Sequence, residues 1–211
     1  IGLLGGKPSG MYTTMVDMSQ IKSLFGIEIE HVDQYRVFLE AENVDEKIIN
    51  ETYENIKNDF GKILCSEEKI LKSIGLYYAL KKIINEDKYD FIAVKCADEM
   101  LNYYVSYCLA VALLNDEGIV TACEGDINAA LTMQILHMLS NEPVVFADVN
   151  DVDINNNILR LVNCGAIATK LAKSRKDVDL GLQYEYMGEK QGCTTVFCCK
   201  PGKVTLARLR N

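Results

Sequence analysis

The sequence predicts an α/β fold: a Rossmann-like parallel sheet with flanking helices, followed by the beginning of an antiparallel β-rich domain. Short apolar runs alternate with helical stretches of ten or more residues, and this alternation is typical of parallel strands in one sheet. The runs at 91–94 and 144–147 are apolar throughout, as in strands buried on both faces. After about residue 150 the chain changes to short strands separated by glycine and proline, which predicts the antiparallel part.

The elements follow from the periodicity of the apolar residues. We predict strands at 1–4, 27–32, 89–94, 118–123 and 144–149, and helices at 11–25, 45–58, 66–85, 98–115 and 126–140. A polar loop at 151–157 precedes short strands at 184–187, 194–199 and 204–209. A boundary near residue 155 therefore separates a Rossmann-like domain, residues 1–155, from a partial C-terminal β-rich domain, residues 156–211.

Composition excludes several classes of partner. The net charge is −8 without a compensating basic cluster, which argues against nucleic acid and against an anionic membrane surface. No apolar run reaches the roughly 18–20 residues that a membrane span needs. The 8 cysteines form no C-x-x-C pair, so we expect free thiols in a reducing cytoplasm, with a zinc site as the less favoured alternative. The sequence thus predicts a cytoplasmic protein with neither nucleic acid nor a membrane as partner.

Two carboxylates carry the strongest chemical signal. Glu124 and Asp148 each follow a predicted buried strand, with one predicted helix between them. As parts of one βαβ unit they would lie on neighbouring strands, about 4.8 Å apart, at the carboxyl edge of the sheet. Hard carboxylate oxygens there would suit Mn²⁺ or Mg²⁺. The alternative is that each acid is only a helix N-cap, the role expected for Asp126.

Other candidates at this edge give weaker signals. The loop 5–10 has the outline of a phosphate cradle but neither glycine fingerprint, and Pro8 removes a backbone donor, so a tight turn is the favoured interpretation. Lys95 and Cys96 follow the strand at 89–94 and are predicted to reach the same cleft as Glu124. We interpret His31 and His137 as packed or exposed side chains without a catalytic role.

Six motifs together resemble the L-fucose isomerase family and its relatives, in the order in which that family has them. The resemblance extends over nearly the whole chain, and an ordered set is far more specific than any one motif. The motifs are Gly-Gly-Lys-Pro-Ser-Gly-Met-Tyr-Thr at 5–13, Leu-Asn-Asp-Glu-Gly at 114–118, Ala-Cys-Glu-Gly-Asp at 122–126, Ala-Ala-Leu-Thr-Met at 129–133, Val-Phe-Ala-Asp-Val at 145–149 and Val-Asn-Cys-Gly at 162–165.

The resemblance implies a metal-dependent ketol-isomerase that interconverts an aldose and a ketose through an enediol. Members of the family bind Mn²⁺ through a Glu, an Asp and a His. By motif, Glu124 and Asp148 correspond to the first two ligands, which are also the family's proton-transfer pair; Mg²⁺ or another divalent cation is an alternative metal. Asn163 and Cys164 correspond to residues lining the sugar site, and Lys95 and Cys96 lie near a substrate-contacting segment with a poorer match.

The chain also departs from the family pattern. The metal-binding His lies late in the family's C-terminal domain, and neither histidine here occupies a matching place, so we expect the third ligand beyond Asn211. The first N-terminal domain, which in the family helps close the site of a neighbouring subunit, is missing as well. We therefore expect an internal part of a longer, homo-oligomeric isomerase, inactive by itself. A different aldose such as arabinose, a non-catalytic sugar-binding or regulatory protein, and a nucleotide-binding Rossmann protein are the alternatives.

Overall fold

A parallel sheet lies at the centre of the computed structural model, which describes residues 1–182 and 192–210. The strands of this sheet have the spatial order β2-β1-β3-β4, and every neighbouring pair is parallel. The predicted α/β class is confirmed. The four strands are β1 (Gly2–Leu4), β2 (Glu30–Val32), β3 (Ile92–Val94) and β4 (Thr121–Ala122).

Helices flank both faces of the sheet. Asp17, Asp33, Asp45 and Asp126 each precede a helix and accept hydrogen bonds from backbone N–H groups of its first turn, which fixes where those helices begin. Within the described residues the α-helices are α1 (Met18–Phe25), α2 (Gln34–Glu42), α3 (Glu46–Asp59), α4 (Glu67–Asp87), α5 (Glu99–Tyr103), α6 (Cys108–Asp116) and α7 (Ile127–Ser140).

Alternate strand residues enter two separate cores. Leu4, Ile92 and Val94 pack with buried residues of α2, α4 and α6 on one face. Leu3 and Ala93 point to the other face and pack with α1 and α7. Successive side chains of a strand point to opposite faces, so even these short strands must be apolar throughout.

The later part of the described chain contains two antiparallel strand pairs. The first is a hairpin of β5 (Asp148–Asp153) and β6 (Ile158–Val162). The second joins β7 (Asp179–Leu182) to β8 (Cys193–Val196). Leu180 and Cys193 of this second pair are buried against α3 and α4 in a third apolar cluster. The expected antiparallel structure is present, while the boundary at residue 155 stays a prediction.

The strand expected at 144–149 is the main error of the sequence interpretation. Residues 144–147 form no strand, and Asp148 begins the antiparallel strand β5 instead of ending a parallel one. The segment expected as a polar loop, 151–157, supplies the end of β5 and the turn of the hairpin, with Asn157 in the left-handed region at φ 53°. Alternating Asp and Val residues make β5 an exposed strand, which cannot enter a sheet buried on both faces.

Several smaller expectations also fail. The helix expected at 98–115 is interrupted at 104–107, where Tyr107 is fully buried and accepts a hydrogen bond at 3.0 Å from Gln34. Helix α2 was not predicted, and α1 begins seven residues later than expected. Residues 204–209 form no strand, and the strand expected at 184–187 lies outside the described residues. Within the described ranges, no helix has the length and apolar character needed to cross a membrane.

Candidate active site

Three loops meet at the carboxyl edge of the parallel sheet. In the order β2-β1-β3-β4, the chain leads from β1 to β2 on one side and then returns to β3 on the other side of β1. Open α/β sheets place their ligands at such a switch point, here between β1 and β3. The loops after β1, β3 and β4 continue the hydrogen bonding of the sheet just beyond the strands. Gly5 donates to the Val32 carbonyl at 2.9 Å, Lys95 to Leu4 at 2.8 Å and Gly125 to Val94 at 2.9 Å. The edge is therefore a set of backbone loops fixed to the sheet.

Glu124 lies in the tight turn that joins β4 to α7. Its φ of 64° is in the left-handed region, where a residue with a side chain is uncommon, and Gly125 follows at φ 58°. A Cβ added to Gly125 would come within 2.3 Å of the Gly6 carbonyl oxygen. The turn thus contacts the glycine loop through the backbone, and this contact fixes the position of Glu124 beside that loop.

The environment of Glu124 disfavours its negative charge. Burial raises the pKa of its carboxyl, and repulsion from Asp148 and Asp126 raises it further, to about 7, although Arg208 opposes the shift. The structure therefore brings Glu124 and Asp148 within electrostatic reach of each other. It does so although Asp148 is not on a neighbouring parallel strand, which was the predicted reason for their proximity.

Asp148 reaches this place on the hairpin. It is exposed, begins β5 and pairs in register with Val162 at the end of β6. Directly after β6, the Asn163 side chain donates to the Phe146 carbonyl at 2.9 Å and accepts from the backbone N–H groups of Gly165 and Ala166. Asn163 therefore joins the two ends of the hairpin and positions the segment that carries Asp148.

The predicted sugar-site residues Asn163 and Cys164 lie at the same edge. The amide of Asn163 is hydrogen-bonded to backbone, as described above, so the contacts in the structure give it a positioning role. Cys164 is exposed. The charges of Glu124 and Asp148 both act on Cys164, which places this thiol beside the carboxylate pair.

Lys95 is held within its own loop. Its ammonium is largely buried and lies 2.7 Å from Glu99 and 3.3 Å from Asp98. Burial opposes the charge, yet hydrogen bonds to Glu99 and Asp98 outweigh it and raise the pKa of Lys95. Asp98 also accepts from the Ser9 backbone N–H at 2.9 Å, which joins this loop to the glycine loop. The neighbouring residue, Cys96, is half-buried.

The donor set suits a hard divalent cation. Two carboxylates that repel each other are the arrangement that a bound cation would stabilise. In the described part of the chain, no group of three or more His, Cys, Asp and Glu side chains could hold a metal ion. If this edge binds a metal ion, Glu124 and Asp148 would supply two of its ligands. The Nδ1 atom of His137 forms a hydrogen bond of 2.9 Å with the Glu142 carbonyl oxygen, at the far end of α7.

Two features of the site were missed in the sequence. Arg208, in the irregular C-terminal segment, donates to Asp126 at 2.7 Å, and the next residue, Leu209, donates through its backbone to Thr132 at 3.0 Å. His31 lies against the glycine loop, since its Nε2 would be 3.5 Å from a Cβ on Gly6. No sequence signal identifies Arg208, because its contact joins residues far apart in the chain. His31, as the last polar residue of an edge strand, could have been assigned to this edge.

Comparison with known proteins identifies relatives with one name. The chain is 29% identical over 211 residues to the sulfoquinovose isomerase of Alkalicoccus urumqiensis, and 26% identical over 212 residues to that of Priestia megaterium. Each alignment covers 99% of this chain and 47% of the relative. A sulfoquinovose isomerase of a Clostridium species is 28% identical over 131 residues, covering 62% of this chain and 29% of the relative.

These similarities are distant and partial. No known family model matches the chain. The chain spans about half the length of the curated relatives it matches, since 47% of the first two is covered. What the comparisons establish is similarity over the whole chain to proteins named as isomerases of one sugar. These comparisons do not show L-fucose isomerase specifically.

Proposed function

We propose that this chain is part of a metal-dependent aldose–ketose isomerase in which Glu124 and Asp148 bind the metal and transfer protons. One observation carries the proposal: two carboxylates from different β structures lie close enough for Asp148 to raise the pKa of Glu124. The names of the relatives support the reaction class, because all three are isomerases of a sugar.

The metal would be held by Glu124 and Asp148 together with a ligand outside the described residues. When bound, a divalent cation such as Mn²⁺ or Mg²⁺ supplies Lewis-acid stabilisation of negative charge on neighbouring sugar oxygens. Its binding would also account for the placement of two acidic groups in mutual repulsion, since a cation would relieve that repulsion.

Proton transfer is the task of the two carboxylates. A proton on carbon next to a carbonyl group is weakly acidic, so its removal needs a base held close to that carbon. One carboxylate oxygen, of Glu124 or Asp148, takes this proton, and the other carboxyl group moves the proton of the adjacent hydroxyl. Glu124 is half-buried, which would limit the access of water to this carboxyl group.

The first substrate to test is sulfoquinovose, since it is the sugar named in all three relatives. L-Fucose and L-arabinose follow, because of the motif resemblance at 5–13, 122–126 and 145–149. A homo-oligomer and a cytoplasmic location remain predictions of the sequence and belong to this proposal.

The test is isomerase activity of the full-length protein on these sugars, with and without added Mn²⁺. We expect metal-dependent ketose formation, and a loss of about 100- to 10,000-fold in kcat for Glu124→Gln or Asp148→Asn. Glu142→Gln, at an exposed carboxylate beyond the far end of α7, is the matched control and should retain wild-type turnover.

Two results would contradict the proposal. Near-normal turnover of Glu124→Gln would remove the catalytic role of this residue. Tight binding of a sugar or metal, without conversion of any aldose, would indicate a sugar-binding protein built on the same fold.

A further inference from the structure

The glycine loop, residues 5–10, lies directly beside the turn that carries Glu124. Within this loop, Gly6 has a close neighbour on each side. On one side, a Cβ added to Gly125 would clash with the Gly6 carbonyl oxygen. On the other side, a Cβ added to Gly6 itself would lie 3.5 Å from the Nε2 atom of His31. A single residue of the loop therefore separates the turn of Glu124 from the imidazole ring of His31.

Lys7 supplies a positive charge next to this point. Its ammonium group donates a hydrogen bond to the Pro8 carbonyl at 2.9 Å and lies 4.8 Å from the centre of the Tyr12 ring. Within residues 1–182 and 192–210, Lys7 forms no ion pair with a carboxylate. Tyr12 is 75% exposed and His31 is exposed, so a ligand from solution can reach this charge.

Two other cations of the same edge are already paired. Lys95 lies 3.3 Å from Asp98, and Arg208 lies 2.7 Å from Asp126. Asp98 is also the carboxylate on which the charge of Lys7 acts, but Lys95 already offsets its negative charge. Of these three cations, Lys7 therefore retains a charge that a ligand can use.

The backbone of the glycine loop adds hydrogen-bond donors. The N–H group of Gly5 donates to the Val32 carbonyl and fixes the loop to the sheet. The N–H groups of the next two residues, Gly6 and Lys7, have no acceptor in the part of the chain that the structure describes. Unused backbone donors beside an ammonium group and an imidazole favour the binding of an oxyanion.

We propose that the ammonium group of Lys7, the backbone N–H groups of Gly6 and Lys7, and the ring of His31 bind an anionic group, a sulfonate or phosphate, on the sugar carbon remote from the carbonyl. This inference rests on the proposed function, since it takes the ligand at Glu124 and Asp148 to be a sugar. The carbonyl end of the sugar faces the two carboxylates, and its anionic end reaches across Gly6 to the glycine loop.

The charges of the site also orient such a sugar. The net charge of the chain is −8, and Glu124, Asp126 and Asp148 would all repel an anionic group placed among them. The same group is attracted to Lys7 on the other side of Gly6. A sugar with an anionic end therefore enters in one direction, with its uncharged carbonyl end toward the carboxylates.

The test is equilibrium binding of sugars to the full-length protein, measured by isothermal titration calorimetry with a chelator present. The ligands are sulfoquinovose, glucose 6-phosphate and quinovose, the 6-deoxyglucose that lacks the sulfonate. We expect the wild type to bind one of the two anionic sugars at least about 10-fold more tightly than quinovose. The affinities for the two anionic sugars then distinguish a sulfonate from a phosphate.

Variants of the loop locate this preference. Lys7→Met should weaken binding of the anionic sugar by about 10- to 100-fold and change the affinity for quinovose by less than about twofold. Lys7→Arg keeps the charge and should retain most of the affinity, whereas His31→Phe should lower it by about 2- to 10-fold. Lys173→Met, at an exposed lysine in the irregular segment between β6 and β7, is the matched control and should bind all three sugars as the wild type does.

Two outcomes would overturn the proposal. One is equal affinity of the wild type for the anionic sugars and quinovose, and the other is a preference for an anionic sugar that persists in Lys7→Met. Because binding is measured without turnover, the proposed function fails or succeeds separately. An isomerase without this preference would keep the roles of Glu124 and Asp148 and lose the anion site. A protein that binds the anionic sugar through Lys7 but converts no aldose would keep the anion site and lose the proposed function.

Discussion

The two candidate carboxylates, Glu124 and Asp148, lie on different kinds of structural element. Glu124 lies in a turn fixed by backbone hydrogen bonds to a sheet whose strand residues are almost all buried. Asp148 lies on a two-stranded hairpin in which nearly every residue is exposed. A hairpin by itself is marginally stable in water, whereas a sheet buried between helices is held by its core. The comparison indicates that Glu124 is fixed by the fold and Asp148 by a few local contacts.

The largest effect expected from this difference is on stability. Ile92 of β3 is fully buried, so Ile92→Ala should lower the free energy of unfolding by about 2–5 kcal/mol through lost contacts and a cavity. Leu159 of β6 is 43% exposed, and Leu159→Ala should change the free energy of unfolding by less than about 1 kcal/mol. Urea unfolding followed by circular dichroism measures the free energy of unfolding of both variants. Similar losses of stability would show that the hairpin belongs to the same core as the parallel sheet.

The next effect concerns the buried charge of Glu124. In the folded protein its pKa is raised from 4.5 to about 7, so the folded state holds this proton more tightly than the unfolded state does. The wild type should therefore lose stability as pH rises from about 4.5 to 7. This loss should amount to about 2–3 kcal/mol and should be absent in Glu124→Gln.

The measurement is urea unfolding of both proteins across this pH range, with a chelator present to exclude metal. Asp148 is exposed, so Asp148→Asn should reduce the pH dependence only in part, by removing one of the repelling charges on Glu124. Parallel pH profiles for the wild type and Glu124→Gln would show that Glu124 is not in an environment that disfavours its charge.

A smaller and more local effect is expected at Asn163. Asn163→Ala removes the hydrogen bonds of this side chain to Phe146, Gly165 and Ala166. We expect the local stability of the hairpin ends to fall by about 1–2 kcal/mol. Amide hydrogen exchange should become faster at 146–149 and 165–166 and stay unchanged in the turn at 124–126. Asn150→Ala, at an exposed position of β5, is the control, and equal effects of both variants would contradict the positioning role.

The smallest effect concerns Arg208. Its ion pair with Asp126 is partly exposed, so Arg208→Gln should cost less than about 1 kcal/mol of stability. Because Arg208 lowers the pKa of Glu124, its loss should raise that pKa further. A titration of the Glu124 carboxyl followed by nuclear magnetic resonance measures this shift. Arg210→Gln, at an exposed position near the end of the chain, is the control and should shift the pKa of Glu124 by less than Arg208→Gln does.

The periodicity of apolar residues was sufficient to predict the sheet and most helices. The runs ending at Leu4, Val94 and Cys123 predict buried strands because both of their faces must be covered. Their order along the chain, alternating with helices, places the loops after them at one edge. The sequence alone therefore directed attention to Glu124, Lys95 and the glycine loop.

Only the tertiary structure decided the place of Asp148 and the long-range side-chain contacts around the site. An apolar run such as 144–147 has the same composition whether or not it joins the sheet, so its partner cannot be read from local pattern. The contacts of Asn163 with Phe146 and of Arg208 with Asp126 join residues distant in sequence. Such contacts depend on how whole elements pack, because a side chain gains them only after the chain has closed the intervening loops.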